Sequence, residues 1–115
     1  AEKVKQLEDA DHKQMALLQT LLKNLAGRND GGQSLLDRTM ILYGSNMGDA
    51  NKHDNTNLPI LLAGGGLKHG QHHAFKGDHD KPLCNLFVSM LQHLGVEAEG
   101  FGSSTGTLSG LGFRA

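Results

Sequence analysis

Four polar side chains able to bind a metal ion or a phosphate-type group occur within one short segment. Ser45, Asn46 and Asp49 supply oxygen atoms, and His53 supplies a ring nitrogen four residues after Asp49. Hard divalent cations prefer carboxylate and amide oxygens, and zinc also takes histidine nitrogen. The glycines between these residues permit close backbone approach to a ligand. We therefore expect any chemistry of this chain to lie in this segment.

The same residue types also build tight turns. Asn and Asp side chains commonly accept hydrogen bonds from the backbone two residues further on, and this explains most Asn/Asp/Gly clusters. Two interpretations are therefore open. In one, Ser45, Asn46 and Asp49 line a substrate or metal pocket, with Asp49 and His53 as metal ligands. In the other, the segment is a turn that satisfies its own backbone.

A second group of candidate ligands is the histidine cluster at His69, His72, His73 and His79. The spacing brings imidazole rings close together, but the cluster lacks the Cys or Glu partners of a specific metal motif. Histidine-rich tracts are compositional signals. A solvated loop is the interpretation we favour here.

Cys84 is the one cysteine, so an internal disulfide is excluded. It falls in the first turn of a predicted helix, where the helix terminus can lower the pKa of a thiol. It also begins an apolar face, and we expect a small buried residue. The triplet 64–66 of glycines has neither the spacing nor the Lys-Ser/Thr ending of a phosphate-binding loop.

The elements that must position these residues follow from hydrophobic spacing. Apolar residues at helical intervals predict two amphipathic helices, and two short continuous apolar runs predict buried strands. The chain is read as one partial α/β domain of 115 residues. Its predicted parts are a helix over 1–27, a strand-loop-strand unit over 39–66, a histidine-rich loop over 67–81, a helix over 82–95 and an irregular tail over 96–115.

Composition excludes some classes of partner. The formal net charge is −1, from 11 basic and 12 acidic residues, so no basic face is implied and nucleic-acid binding has no electrostatic support. The longest apolar runs are too short to span a bilayer. Two buried strands do not make a stable sheet alone. We therefore expect either self-association or completion by a missing N-terminal half.

Several separated motifs resemble the C-terminal part of the bacterial HXXSHH family, a family of unknown function. The similarity covers almost the whole chain. The motifs that carry it are Tyr43-Gly44-Ser45-Asn46-Met47-Gly48-Asp49, His53, Asn57-Leu58-Pro59, Leu83-x-Asn85-Leu86, Met90-Leu91, Leu94-Gly95-Val96 and Phe101-Gly-Ser-Ser-Thr-Gly. The His-x-x-Ser-His-His motif of the family is expected just before Ala1. Exported proteins are common in that family, so a periplasmic or secreted parent is one expectation.

The layout is more distantly similar to the C-terminal part of sulfatases and alkaline phosphatases. That resemblance implies a partial α/β sandwich, the C-terminal half of an alkaline-phosphatase-like domain, ordered helix-strand-loop-strand-loop-helix. Asn46-Met47-Gly48 stands where those enzymes have an Asp-His-Gly metal motif. Asn offers only a neutral carbonyl oxygen, and Met is a soft ligand, so the two usual metal ligands are replaced.

Two functions follow as expectations. The first is that the chain is a fragment of a metal-dependent phosphate or sulfate ester hydrolase, inactive alone because the nucleophile lies upstream. A divalent metal is then expected only in the intact parent. The alternative is a non-catalytic binding or structural protein on the same scaffold, because a fold alone does not establish an activity.

Overall fold

The computed structural model describes residues 1–75 and 81–113. Two helices and two small antiparallel sheets give it a mixed α/β character, as the sequence predicted at that coarse level. The elements are α1 (Glu2–Ala26), β1 (Asn29–Asp30), β2 (Gln33–Ser34), β3 (Met40–Gly44), β4 (Ile60–Gly64) and α2 (Leu83–His93). The chain divides into two compact units, residues 1–41 with 63–66 and residues 42–62 with 67–115.

Helix α1 begins the first unit and carries the predicted apolar stripe. Leu18 is its one buried residue, and Leu22 and Leu25 are half-buried. Gly27 caps the helix in a right-handed conformation, with φ −79° and ψ −4°, whereas a glycine after the last turn often ends a helix in a left-handed one. Its N–H still bonds to the carbonyl of Lys23 at 2.9 Å, so the helical turn continues through it.

A small hairpin follows α1, in the stretch between the predicted helix over 1–27 and the predicted strand-loop-strand unit over 39–66. Strands β1 and β2 pair antiparallel, with Asn29 opposite Ser34 and Asp30 opposite Gln33. The two glycines between them, 31 and 32, have φ of +61° and +86°. Two consecutive positive φ angles are what a two-residue type I′ hairpin turn needs, and glycine adopts them without steric cost.

The end of β4 lies in the first unit against the turn that precedes β3. Gly65 donates its N–H to the carbonyl of Leu36 at 2.9 Å. Gly64 is buried with φ +78°, and a Cβ there would clash with the carbonyl oxygens of Thr39 and Leu36. The glycine after the second apolar run is therefore required by close backbone approach rather than by a ligand.

Strands β3 and β4 form the second sheet, and the prediction that both are buried is wrong in the described chain. The first four residues of β3 are half-buried, and its last residue, Gly44, is exposed. Leu61 of β4 retains 38% of its surface. A two-stranded antiparallel ribbon leaves apolar side chains accessible unless further elements cover it.

Helix α2 lies in the second unit, close to its predicted bounds. Pro82 occupies the N-cap, with φ −54° and ψ 135°. At the other end Gly95 has φ +82° and donates to the carbonyl of Gln92 at 2.9 Å, while Val96 donates to that of Leu91 at 3.0 Å. This pair of bonds is a Schellman motif, in which a left-handed glycine ends the helix.

Most of the buried residues described in the second unit belong to α2. Val88 is fully buried at 0% exposure, with Leu86 at 5% and Leu67 at 8%. Two polar residues of α2 are buried as deeply, Asn85 at 2% and Ser89 at 3%. Buried polar groups are stable only when they are hydrogen-bonded, and here their partners belong to the C-terminal tail.

The tail over 96–113 is irregular, as predicted, and two ring contacts hold it to α2. The ring of Phe101 meets Phe87 edge-on at 5.8 Å between centroids. The ring of Phe113 meets His93 in the same way at 5.6 Å. His93 is half-buried in this arrangement.

Polar contacts, which the sequence did not predict, also fix the tail. The Oδ1 of Asn85 accepts the N–H of Thr105 at 2.8 Å, and its Nδ2 donates to the Thr105 hydroxyl at 3.2 Å. One helical turn later, the Ser89 hydroxyl accepts the N–H of Leu108 at 2.8 Å. None of the helices described is both long and apolar enough to cross a membrane.

Candidate functional site

The loop over 44–57 leaves β3 and returns to β4, and the junction of the two strands closes its wide end. Ser45 donates its N–H to the carbonyl of Pro59 at 3.2 Å. Gly44 lies so close to the incoming strand that a Cβ would stand 2.6 Å from the Pro59 carbonyl oxygen. The glycine before Ser45 is therefore set by strand pairing.

A second, inner hairpin closes the narrow end of the loop. Asp49 and Asp54 form an antiparallel bridge, in which the N–H of Asp54 donates to the Asp49 carbonyl at 3.0 Å. The N–H of Gly48 donates to the Asp54 carbonyl at 2.9 Å, and that of His53 to the Ala50 carbonyl at 3.4 Å. Asp49 and His53 thus lie at the two ends of one short turn.

The Asp49 carboxylate is occupied by its own turn. Its Oδ1 accepts the N–H groups of Asn51 at 3.0 Å and Lys52 at 3.3 Å. Its Oδ2 lies 3.5 Å from the Lys52 ammonium group. This is the backbone-satisfying arrangement that the turn interpretation describes. A metal ion at Asp49 has to compete with these three donors.

Ser45 also acts locally. Its hydroxyl oxygen accepts the N–H of Met47 at 3.1 Å, which fixes the backbone on both sides of Asn46. The side chain of Asn46 itself is exposed, and it has no hydrogen-bond partner within the described chain.

His53 resembles Asn46 in this respect. Its ring is exposed and has no side-chain partner among residues 1–75 and 81–113. Its backbone φ of +53° lies in the left-handed region, which a non-glycine residue adopts at a cost. The bridge and turn around it hold this conformation, so the exposed imidazole is presented from an ordered backbone.

Asp54 belongs to the loop but was not among the predicted site residues. Its Oδ1 accepts the N–H of Thr56 at 2.8 Å. The backbone N–H and the hydroxyl of Thr56 both stabilise the ionised carboxylate, and they lower the pKa of Asp54 below its ordinary value. The signal for this Asx turn is the Asp-Asn-Thr order, since an Asp often bonds to the N–H two residues on.

No group of three or more His, Cys, Asp or Glu side chains is placed to hold a metal ion in the part of the chain that the structure describes. His69, His72 and His73 are exposed, as a solvated loop predicts, and the Nε2 of His73 lies 3.1 Å from the Oε1 of Gln71. His79 lies outside the described residues.

Cys84 is half-buried rather than buried. The hydroxyl of Ser103, from the tail, donates to its Sγ at 3.5 Å. This side-chain bond, followed by a backbone bond from the same residue, lowers the pKa of the Cys84 thiol because both favour the thiolate. The sequence indicated a lowered pKa from the helix terminus, whereas the largest cause is a residue 19 positions away.

Comparison of the chain with protein-family models, with curated proteins and with solved structures finds no match.

Proposed function

We propose that this chain is the C-terminal part of a larger metal-dependent phosphate or sulfate ester hydrolase of the alkaline-phosphatase-like superfamily, related to the HXXSHH family. In this proposal loop 44–57 forms one wall of the pocket. The supporting observation is that the backbone of the loop is held by the strand junction and the inner bridge, while Asn46 and His53 remain exposed and without side-chain partners among the described residues. Ordered backbone carrying uncommitted donor atoms suits a binding site.

The donor set of the loop is incomplete for a metal ion. Asn46 offers one neutral oxygen and His53 one nitrogen, whereas Asp49, the nearest carboxylate, is bonded to its own turn. Two neutral ligands do not hold a divalent cation alone, so the remaining ligands have to come from the upstream part of the parent. A divalent ion held there would supply charge stabilisation to the transferring phosphoryl or sulfuryl group.

The parent has to cover apolar surface that this chain leaves exposed. Ten large apolar side chains are exposed among the described residues, against four that are buried. Leu17 and Leu7 of α1 keep 71% and 67% of their surface. Exposed apolar residues in such number favour an interaction surface. We infer that the upstream half of the parent, or a second copy, covers them.

A second function is favoured by the bonds of Asp49. A carboxylate whose oxygens accept two backbone N–H groups and pair with Lys52 is serving the turn. Together with Asn46-Met47 in place of the usual metal ligands, this supports a non-catalytic binding or structural protein on the same scaffold. Loop 44–57 then acts as a recognition surface without a metal.

Metal analysis and ester hydrolysis by the longer parent polypeptide separate the two functions. The hydrolase proposal expects stoichiometric zinc, manganese or calcium and turnover of an aryl phosphate or aryl sulfate. His53→Ala and Asn46→Ala should each reduce both. Asn51→Ala is the matched control, because Asn51 is exposed on the same loop and contributes only its backbone N–H.

The results distinguish the proposals as follows. No bound metal and no turnover in a folded parent support the non-catalytic protein. Equal loss in His53→Ala and Asn51→Ala contradicts a specific role for His53. Turnover by the isolated 115 residues, abolished by His53→Ala, contradicts the fragment proposal. A gene that encodes no polypeptide upstream of Ala1 contradicts it as well.

A further inference from the structure

The segment over 101–113, called the strap below, lies along α2 without secondary structure of its own. Among the described residues, its main chain bonds to itself where the N–H of Ser104 donates to the carbonyl of Phe101, at 3.0 Å. Its glycines at 102, 106, 110 and 112 all have positive φ. The order of the strap therefore depends on its contacts with α2 and with the segment around Lys68, which Gly112 approaches closely.

Besides the contact from Ser103 to Cys84, the strap has two polar anchors on α2, and these two are coupled within the helix. Asn85 and Ser89 are one turn apart on the same face of the helix, and the Ser89 hydroxyl can donate to the Asn85 carbonyl at 3.1 Å. The same hydroxyl accepts from Leu108 and can donate to the Leu108 carbonyl at 3.3 Å. A hydroxyl has one proton, so it serves one of these two acceptors at a time.

Release of the strap leaves no polar group of this face without a partner. The Ser89 hydroxyl keeps the Asn85 carbonyl as its acceptor, and the Asn85 amide meets water. Hydrogen bonds to the strap are exchanged for bonds to water, and such an exchange has a small net free energy. Release also parts the ring contacts of Phe101 with Phe87 and of Phe113 with His93, and the exposure of this hydrocarbon opposes it.

We propose that the strap opens and closes on α2 as one cooperative unit, with Asn85 and Ser89 as its joint latch, while α2 remains folded. Such local opening, with a free energy below that of global unfolding, is a general property of native proteins. The latch residues accept hydrogen bonds from the main-chain N–H groups of Thr105 and Leu108, which are three residues apart. This device is independent of the function proposed for loop 44–57.

Gly106 links the two anchors and sets their spacing. Its φ of +146° is a conformation that residues with side chains rarely adopt, and a Cβ there would meet nothing within 4 Å. Gly106→Ala therefore strains the backbone between the anchors without a steric clash elsewhere. We expect it to weaken both anchors together.

Native-state amide hydrogen exchange of the full chain tests the proposal. Asn85→Ala removes the acceptor of the Thr105 N–H, so faster exchange at Thr105 is expected in any case. The informative amide in this variant is therefore that of Leu108. Reciprocally, Ser89→Ala is read at Thr105. We expect each variant to raise the exchange rate at the other anchor about tenfold, as loss of one buried hydrogen bond implies. Gly106→Ala should raise both rates.

Two controls accompany these variants. Ser109→Ala changes an exposed residue of the strap and should alter neither rate. The amides of α2 report whether the helix stays folded. Cross-effects below twofold, with each variant acting only at its own amide, overturn the proposal in favour of independent fraying. Loss of exchange protection in α2 together with that in the strap overturns it too. If Asn85→Ala does not fold, the exchange rates of Thr105 and Leu108 in Gly106→Ala test the proposal instead.

Discussion

Asp49 and Asp54 bond to each other's main chain across the narrow end of loop 44–57. The N–H of Asp54 reaches the Asp49 carbonyl at 3.0 Å, and the N–H of Asp49 reaches the Asp54 carbonyl at 3.4 Å. Each aspartate also uses its carboxylate to fix the residues that follow it. The two residues proposed as exposed donors, Asn46 and His53, lie on a loop ordered in this way.

Replacing Asp49 should loosen the turn without any metal being involved. Asp49→Ala removes the acceptor for Asn51 and Lys52, and we expect a loss of about 1 kcal/mol in the free energy of unfolding. Asp49→Asn keeps an oxygen acceptor and should lose less. Denaturant unfolding in the presence of a chelator measures this, with Asn51→Ala as control. Equal stability of Asp49→Ala and Asn51→Ala would show that the carboxylate does not support the turn.

The Asp54 carboxylate should make the loop sensitive to acid. Because its folded-state pKa lies below its ordinary value of 3.8, its ionised form is stabilised by folding. The contribution is therefore fully present above the unfolded-state pKa and is lost as the pH falls through the lower folded-state pKa. We expect the Thr56 amide resonance to follow this titration. In the control Asp54→Asn, the Thr56 resonance should not move between pH 5 and pH 2. If the Thr56 resonance of the unchanged chain instead titrates at the ordinary pKa of an Asp, the prediction is contradicted.

How far the sequence predicts this structure depends on which pattern is involved. The two helices follow from apolar periodicity, which a single chain displays directly. The hairpin around Gly31 and Gly32 was missed because its strands are two residues long and polar, so they show no alternation. The sequence overestimates the burial of β3 and β4. A continuous apolar run shows that a strand carries apolar side chains on both faces, but their burial also needs other elements that cover those faces.

The candidate site, too, is only partly predictable from the sequence. The sequence placed Ser45, Asn46, Asp49 and His53 in one loop, and the structure does the same, but residue types alone do not show which lone pairs are in use. Asp49 proves to serve its own turn. The roles of Asn85 and Ser89 depend on Thr105 and Leu108, about 20 residues away, and no local pattern reports such contacts.

Two glycines with similar backbone angles should respond very differently to alanine. Gly64 and Gly66 have φ of +78° and +69°, so either substitution costs about 1 kcal/mol or more for the left-handed conformation. At Gly66 the nearest atom to a new Cβ is 3.7 Å away, whereas at Gly64 the Cβ would clash with two carbonyl oxygens. We expect Gly64→Ala to be the more destabilising by a further 2 kcal/mol or so, since the obstacle is backbone. Urea midpoints of the two variants measure the difference, and equal midpoints would contradict the close approach.

The thiol of Cys84 should titrate at a pH that depends on Ser103. The Ser103 hydroxyl stabilises the thiolate, so Ser103→Ala should raise the pKa of Cys84 towards its ordinary value. Thiolate is the reactive form, and the midpoint of the rate of alkylation by iodoacetamide against pH should therefore move upward. Ser109→Ala, an exposed change in the same strap, should leave the midpoint where it is. A midpoint that is unchanged in Ser103→Ala, with the protein folded, would show that the hydroxyl does not reach the sulfur in solution.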